Sequence, residues 1–318
     1  MMKQGCRDLI TICLIVLAAL FCAPGGSFGA PEPKTVRVLY LVPEDRAARQ
    51  EYIKAIEKAL LDLQVWYYGS LGGRTFRLNN PMVEVRRASH KAAWYSRHRP
   101  AVRSEKRFYT FYNALADAAA FGVKVNDRKH IWLLYIDAPG RTAAGMRGVA
   151  VMPEHDLLGL VGRSVDRTPV SRWIGGSGHE LGHALGLSHP GERQAGSLMQ
   201  RGHVRYPACF LPPADTARLR KSRFIYAGLP EGFSSRDRFI YTYNGGYVVH
   251  VGGGRWQERR TDTGIIYDYK LYKDDGRFLY LARVGRGGGT GICLPKKAGG
   301  SIYRKDASGG LVRIHATG

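Results

Sequence analysis

Acidic residues are scarce in this chain: 26 Asp+Glu stand against 48 Lys+Arg in 318 residues, a formal net charge of +22. Cysteine is scarcer, five in all, and Cys6, Cys13 and Cys22 fall within the first thirty residues. The remaining Cys209 and Cys293 could form one disulfide at most, which excludes a cysteine-framework scaffold; one bridge or two separate thiols both stay open. No apolar run reaches the ~20 residues that span a bilayer. A largely disordered chain is excluded too, because 44% of the residues are hydrophobic and 11% aromatic. The basic excess is spread over both halves at similar density. A nucleic-acid module would gather it on one face, so no specific nucleic-acid partner is expected.

The longest apolar run, Leu9 to Ala23, follows Lys3 and Arg7 and precedes Pro24-Gly25-Gly26-Ser27-Phe28-Gly29. This is the layout of a secretory signal, with cleavage expected after Gly29. The expected product is a secreted or periplasmic protein, monomeric and with no membrane span once the signal is removed.

From Thr35 the pattern predicts an α+β domain: a mixed twisted sheet with helices packed on it. Thr35–Val42 alternates as a strand, and Tyr52 to Trp66 recurs at helical spacing after a turn and helix start at Pro43-Glu44-Asp45. Further strands are expected around 74–78, 82–87, 130–136 and 148–152, with helices over 105–121 and 212–222. From about residue 233 short aromatic and β-branched runs alternate with Asn244-Gly245-Gly246, Asp274-Asp275-Gly276 and Gly287-Gly288-Gly289, which predicts a small all-β module. The division expected is a signal over 1–29, a first domain over 30–228 and the β module over 229–318. Most of the eight tyrosines beyond residue 240 are expected in strand cores.

The chemistry concentrates in His179-Glu180-Leu181-Gly182-His183-Ala184-Leu185-Gly186-Leu187-Ser188-His189. Histidines four apart on a helix share a face, so both imidazoles reach one ion. A third ligand six residues on requires the chain to reverse, and Gly186 can take the left-handed conformation that ends the helix. His179, His183 and His189 are thus the candidate ligands of one Zn2+. Three neutral imidazoles leave a fourth position for water, the mark of a catalytic site. Glu180 is the candidate general base for that water and for proton delivery to a leaving amine.

The motif resembles the long zinc signature of the metzincin metallopeptidases, in wording nearest the matrixins. The resemblance implies a zincin fold, a zinc-dependent endopeptidase and a protein or peptide substrate. It also implies a methionine turn under the metal, for which Met199 in Ser197-Leu198-Met199-Gln200 is the candidate, with Gly186 as the bend. It implies an edge strand on which substrate pairs antiparallel, assigned to Gly148, Val149, Ala150, Val151 and Met152, the alternative being that this run is only an internal strand. Two departures stand out: Arg201 occupies the position where some metzincins carry a tyrosine, with Tyr206 the nearest substitute, and no cysteine-switch propeptide precedes the first strand. Calcium is possible but no Asp/Asn-rich loop indicates it. The basic stretch Arg86 to Arg107 could meet an anionic cell-surface polymer or simply face water. Two other readings of the whole remain, a non-catalytic surface-binding protein retaining a zinc site and a zinc amidase acting on cell-wall peptides.

Overall fold

A computed structural model describes residues 34–314 apart from 229–239, 244, 253, 261–262, 264, 286–289, 297–300, 306–307 and 309. The expected signal at 1–29, the expected boundary at 229 and the glycine loop at 287–289 lie outside the described residues. In chain order the first half runs β1 (Thr35–Val42), α1 (Gln50–Ser70), β2 (Arg74–Phe76), β3 (Glu84–Arg87), α2 (Ala92–Arg97), α3 (Tyr109–Ala118), β4 (His130–Ile136), β5 (Ala144–Met146), β6 (Val149–Met152), α4 (Glu154–Leu160), α5 (Val170–Ala184), α6 (Pro213–Arg220) and β7 (Ile225–Ala227).

The period-2 geometry of a strand sends alternate side chains to opposite faces, and three strands use this to build two cores. Val36, Val38 and Tyr40 of β1, Leu133 and Tyr135 of β4, and Ala150 and Met152 of β6 join one cluster, with the buried residues of α1 and α5. Leu39, Leu41, Trp132, Leu134, Val149 and Val151 point the other way, onto α2 and α3. This sheet, covered on both faces, has the order β3-β1-β4-β6-β5, parallel except for β5.

That order corrects the expected edge strand. Residues 149–152 are bonded to β4 on one side and β5 on the other, and all four are buried. Their complete burial is that of an interior strand. The half-exposed Ala144–Met146 is outermost in the sheet instead.

Two helix boundaries also differ from expectation. The segment at Pro43 makes a turn, with Arg46 N–H on Pro43 O and Glu44 N–H on His90 O, so α1 starts only at Gln50. The helix expected over 105–121 is α only from Tyr109 to Ala118, with a 3-10 turn at each end.

Among the described residues the second half is one antiparallel meander of eight strands in sequence order: β8 (Ile240–Tyr243), β9 (Gly246–Gly252), β10 (Arg255–Arg260), β11 (Ile266–Asp274), β12 (Phe278–Arg283), β13 (Gly291–Pro295), β14 (Ile302–Lys305) and β15 (Leu311–Ile314). Tyr243, Tyr247 and Tyr269 are buried, whereas Tyr272 is exposed. Cys209 and Cys293 are separate buried thiols, not a disulfide.

The meander touches the first half through α1. Val65 and Leu61 meet Tyr247 and Val249 of β9. Beside them Arg259 Nη1 lies 3.9 Å from Asp62, whose carboxylate also accepts the Tyr206 hydroxyl.

Candidate metal centre and active site

Helix α5 presents His179, Glu180 and His183, and its placement is fixed by buried hydroxyls. Tyr67 of α1 donates to Gly178 O at 3.0 Å, and Tyr135 of β4 bonds Ser177 Oγ at 3.0 Å. The helix then stops where the sequence says it must. Gly186 takes φ +95, its N–H bonds His183 O, and Leu187 N–H bonds Gly182 O, the paired bonds of a Schellman ending. The reversal brings His189 back to the helix face. The three Nε2 atoms lie 3.0 to 3.1 Å from one another.

These distances test whether a metal fits. His179 Nδ1 lies 2.8 Å from Leu198 O and His183 Nδ1 lies 3.0 Å from Leu187 O. A carbonyl can only accept, so each Nδ1 carries the proton and each Nε2 turns a lone pair toward the other imidazoles. Lone pairs converging in this way repel unless a cation sits among them. Zinc–nitrogen bonds of about 2.0–2.1 Å at tetrahedral angles place donor nitrogens a little over ~3 Å apart, so the spacing fits such an ion. Burial adds to this: it pulls His179 down to about 3 and lowers His183, keeping both neutral and ready to ligate. Among the described residues these three histidines form the only cluster able to hold a metal.

Met199 is fully buried and lies against Gly182, where a Cβ would come within 2.2 Å of its sulfur. A side chain at 182 would therefore displace the methionine from beneath the helix. The Met199 N–H bonds Ser197 Oγ, and Leu198 supplies the carbonyl that orients His179. Arg201 is exposed, and the buried Tyr206 hydroxyl is committed to Asp62.

Glu180 borders a cavity of about 200 Å³ that His155, Asp156, Arg172, His179 and His203 also line. Burial, reinforced by the charge of Asp156, pushes the Glu180 carboxyl up to about 8. A cation at the triad would act in the opposite direction. The outermost strand crosses directly above: a Cβ on Gly145 would stand 2.6 Å from Glu180 O and 2.9 Å from His183 Cβ.

His203 and Asp156 were not singled out from the sequence. The His203 ring lies 4.8 Å from that of His179, with its Nδ1 on Gln200 O. The available signal was a histidine four residues past Met199 in a chain with ten. Asp156 carries a testable consequence. It is buried, its Oδ2 has no hydrogen-bond partner, and burial pushes its carboxyl from 3.8 up to about 7 despite Arg172. The folded state therefore keeps a proton that the unfolded chain releases, and stability falls as pH rises from about 4 to 7. His155, Arg172 and Glu180 face the same space, so the comparison must be with a variant. In urea unfolding at pH 4, 6 and 8, Asp156→Asn should remove a decline on the order of 3 kcal/mol. Parallel pH profiles for the two proteins would contradict this.

No protein-family model matches the sequence, and no curated protein does. Among solved structures the chain is similar to OgpA from Akkermansia muciniphila, at 18% identity and a TM-score of 0.46, over 90% of this chain and 94% of that one. A catalytically inactive OgpA has been solved with an O-glycopeptide substrate, glycodrosocin. An archaemetzincin from Methanopyrus kandleri matches at 18% identity and a TM-score of 0.34, over 60% of this chain and 97% of that one. A zinc-dependent peptidase from Methanocorpusculum labreanum matches at 13% and 0.26, over 57% and 99%. These likenesses are weak, and the chemistry of the site rests on its own atoms.

Proposed function

We propose that the chain is an exported zinc-dependent endopeptidase of the metzincin kind, with a catalytic domain over 30–228 and an accessory β module over 229–318. The observation that carries this is the convergence of three imidazoles within 3.1 Å, two of them tautomer-fixed by backbone carbonyls, with a carboxylate on the same helix. His179, His183 and His189 would hold the ion, and Met199 would form the apolar floor under them. When bound, zinc would supply Lewis acidity, lowering the pKa of a water toward about 7 and polarising a carbonyl.

The chain's own residues do the rest. Glu180 takes the proton of the attacking water and returns it to the leaving amine. Leu198 O and Leu187 O hold the two helix histidines in register. The outer edge of Ala144–Met146 supplies backbone donors and acceptors beside the site, where an extended peptide can add as a further strand. The cavity beside Glu180 would take one substrate side chain. A relic binding protein has no need of Glu180, which favours the catalytic reading.

Dialysis of the purified protein against a chelator should abolish cleavage of an unfolded protein substrate, and added zinc should restore it. Cleavage that survives removal of the metal would rule the reading out.

A further inference from the structure

A larger cavity, about 860 Å³, lies at the C-terminal end of α5, beyond the Gly186 turn. Arg147, Arg218, Lys221 and Arg223 all border it and are all exposed. Among the described residues Asp127 is the one acid on its wall, and that carboxylate already accepts the Lys129 N–H and the Trp132 Nε1–H. Asp215 is close enough to feel Arg218 but makes no ion pair with it among the described residues. The basic stretch elsewhere is partly spent: Arg86 pairs with Glu84, Arg107 with Glu105, and Arg87 bonds the carbonyls of Glu44 and Arg46. At the cavity, Arg147, Lys221 and Arg223 enter no ion pair among the described residues.

One effect opposes an anion here, since the C-terminal end of a helix carries partial negative charge. It is blunted in this case. Ala184 O accepts the Gly148 N–H at 2.8 Å, and Gly186 O accepts Arg218 Nη1 at 3.0 Å. Four cations around one concavity oppose it, because a cleft lined by one sign of charge raises the local concentration of the opposite ion.

We propose that this cavity is a binding site for a polyvalent oxyanion, a ligand carrying two or more phosphate or sulfate groups. The volume exceeds what a single phosphate fills and falls within the range of small-ligand sites, about 300–1,000 Å³. Three of the four cations are arginines, whose planar fork matches tetrahedral oxyanions. The site is separate from the histidine triad and does not depend on the peptidase reading.

The test is isothermal titration of the full chain with inorganic pyrophosphate and, separately, with a sulfated disaccharide, at about 50 mM and 200 mM salt. A protein this basic attracts anions everywhere, so the control is a second triple variant removing equal charge. One-to-one binding should weaken by roughly tenfold or more in Arg147→Ala/Lys221→Ala/Arg223→Ala, and change by less than about twofold in Arg97→Ala/Arg99→Ala/Arg103→Ala. Either probe behaving so supports the site, and the tighter one identifies the source of the oxyanion. Equal weakening in both triples, no saturable binding of either probe, or equal binding of the unsulfated disaccharide would overturn it. The altered residues are exposed, and circular dichroism of each variant checks the fold.

Discussion

Replacing Glu180 by glutamine should lower cleavage of an unfolded protein substrate by about 10²- to 10⁴-fold while leaving one metal ion bound. The magnitude follows from the rate contributed by a positioned general base. The metal should stay because its three ligands are oriented by other groups: Leu198 O, Leu187 O and the Gly186 reversal. Glutamine keeps the size of the side chain but cannot accept a proton at the carboxylate. Substrate affinity, read as KM, should change little, so the loss should fall on kcat. A variant cleaving at the wild-type rate would remove Glu180 from the chemistry.

The second large effect concerns stability at the contact between α1 and the meander. Gly69 lies in the last turn of α1, and a Cβ there would meet the Tyr247 ring at 2.1, 2.3 and 2.5 Å. Helix propensity alone predicts that Gly69→Ala stabilises by about 1 kcal/mol. Packing predicts the opposite, since forcing a methyl against a fully buried ring costs about 1–3 kcal/mol or more. Tyr247 cannot swing aside cheaply: Val65 and Val249 pack against it and Arg259 lies over its face. Packing should win, with net destabilisation of about 2 kcal/mol, and more for Gly69→Val. Urea midpoints for Gly69→Ala, Tyr247→Ala and the double variant test the cause. If the clash is responsible, the methyl should cost little once the ring is gone.

Much of this was legible in the sequence because it depends on local spacing. The i, i+4 histidines, the glycine ending and the returning histidine lie within eleven residues, and each follows from helix geometry. The two-faced burial of β4 was legible from its unbroken apolar run, whereas β1 reads as an alternating strand and is nonetheless buried on both faces. The edge strand was not legible, because residues 149–152 read alike at an edge or inside, and only the pairing of Ala144–Met146 across them decides. That segment, Ala-Gly-Met, is too short and too weak in β-propensity to announce itself. Strand β10 was missed for a related reason. Arg-Trp-Gln-Glu-Arg-Arg reads as solvent-facing, yet Glu258 is fully buried, where it accepts the hydroxyls of Tyr243 and Tyr269 and pairs with Arg304. Those partners lie 11 to 46 residues away. Asp156 and His203 escaped for the same reason, since they join the triad's cavity only through the tertiary fold.

The central claim is that His179, His183 and His189 hold one zinc ion that peptide cleavage requires. Zinc titration of metal-depleted protein, with bound metal and cleavage followed in the same samples, tests it most directly. Cleavage should rise in proportion to metal and saturate at one ion per chain, and His183→Ala should lose both together. Full cleavage without metal, or tight zinc binding that persists in His183→Ala, would contradict the account.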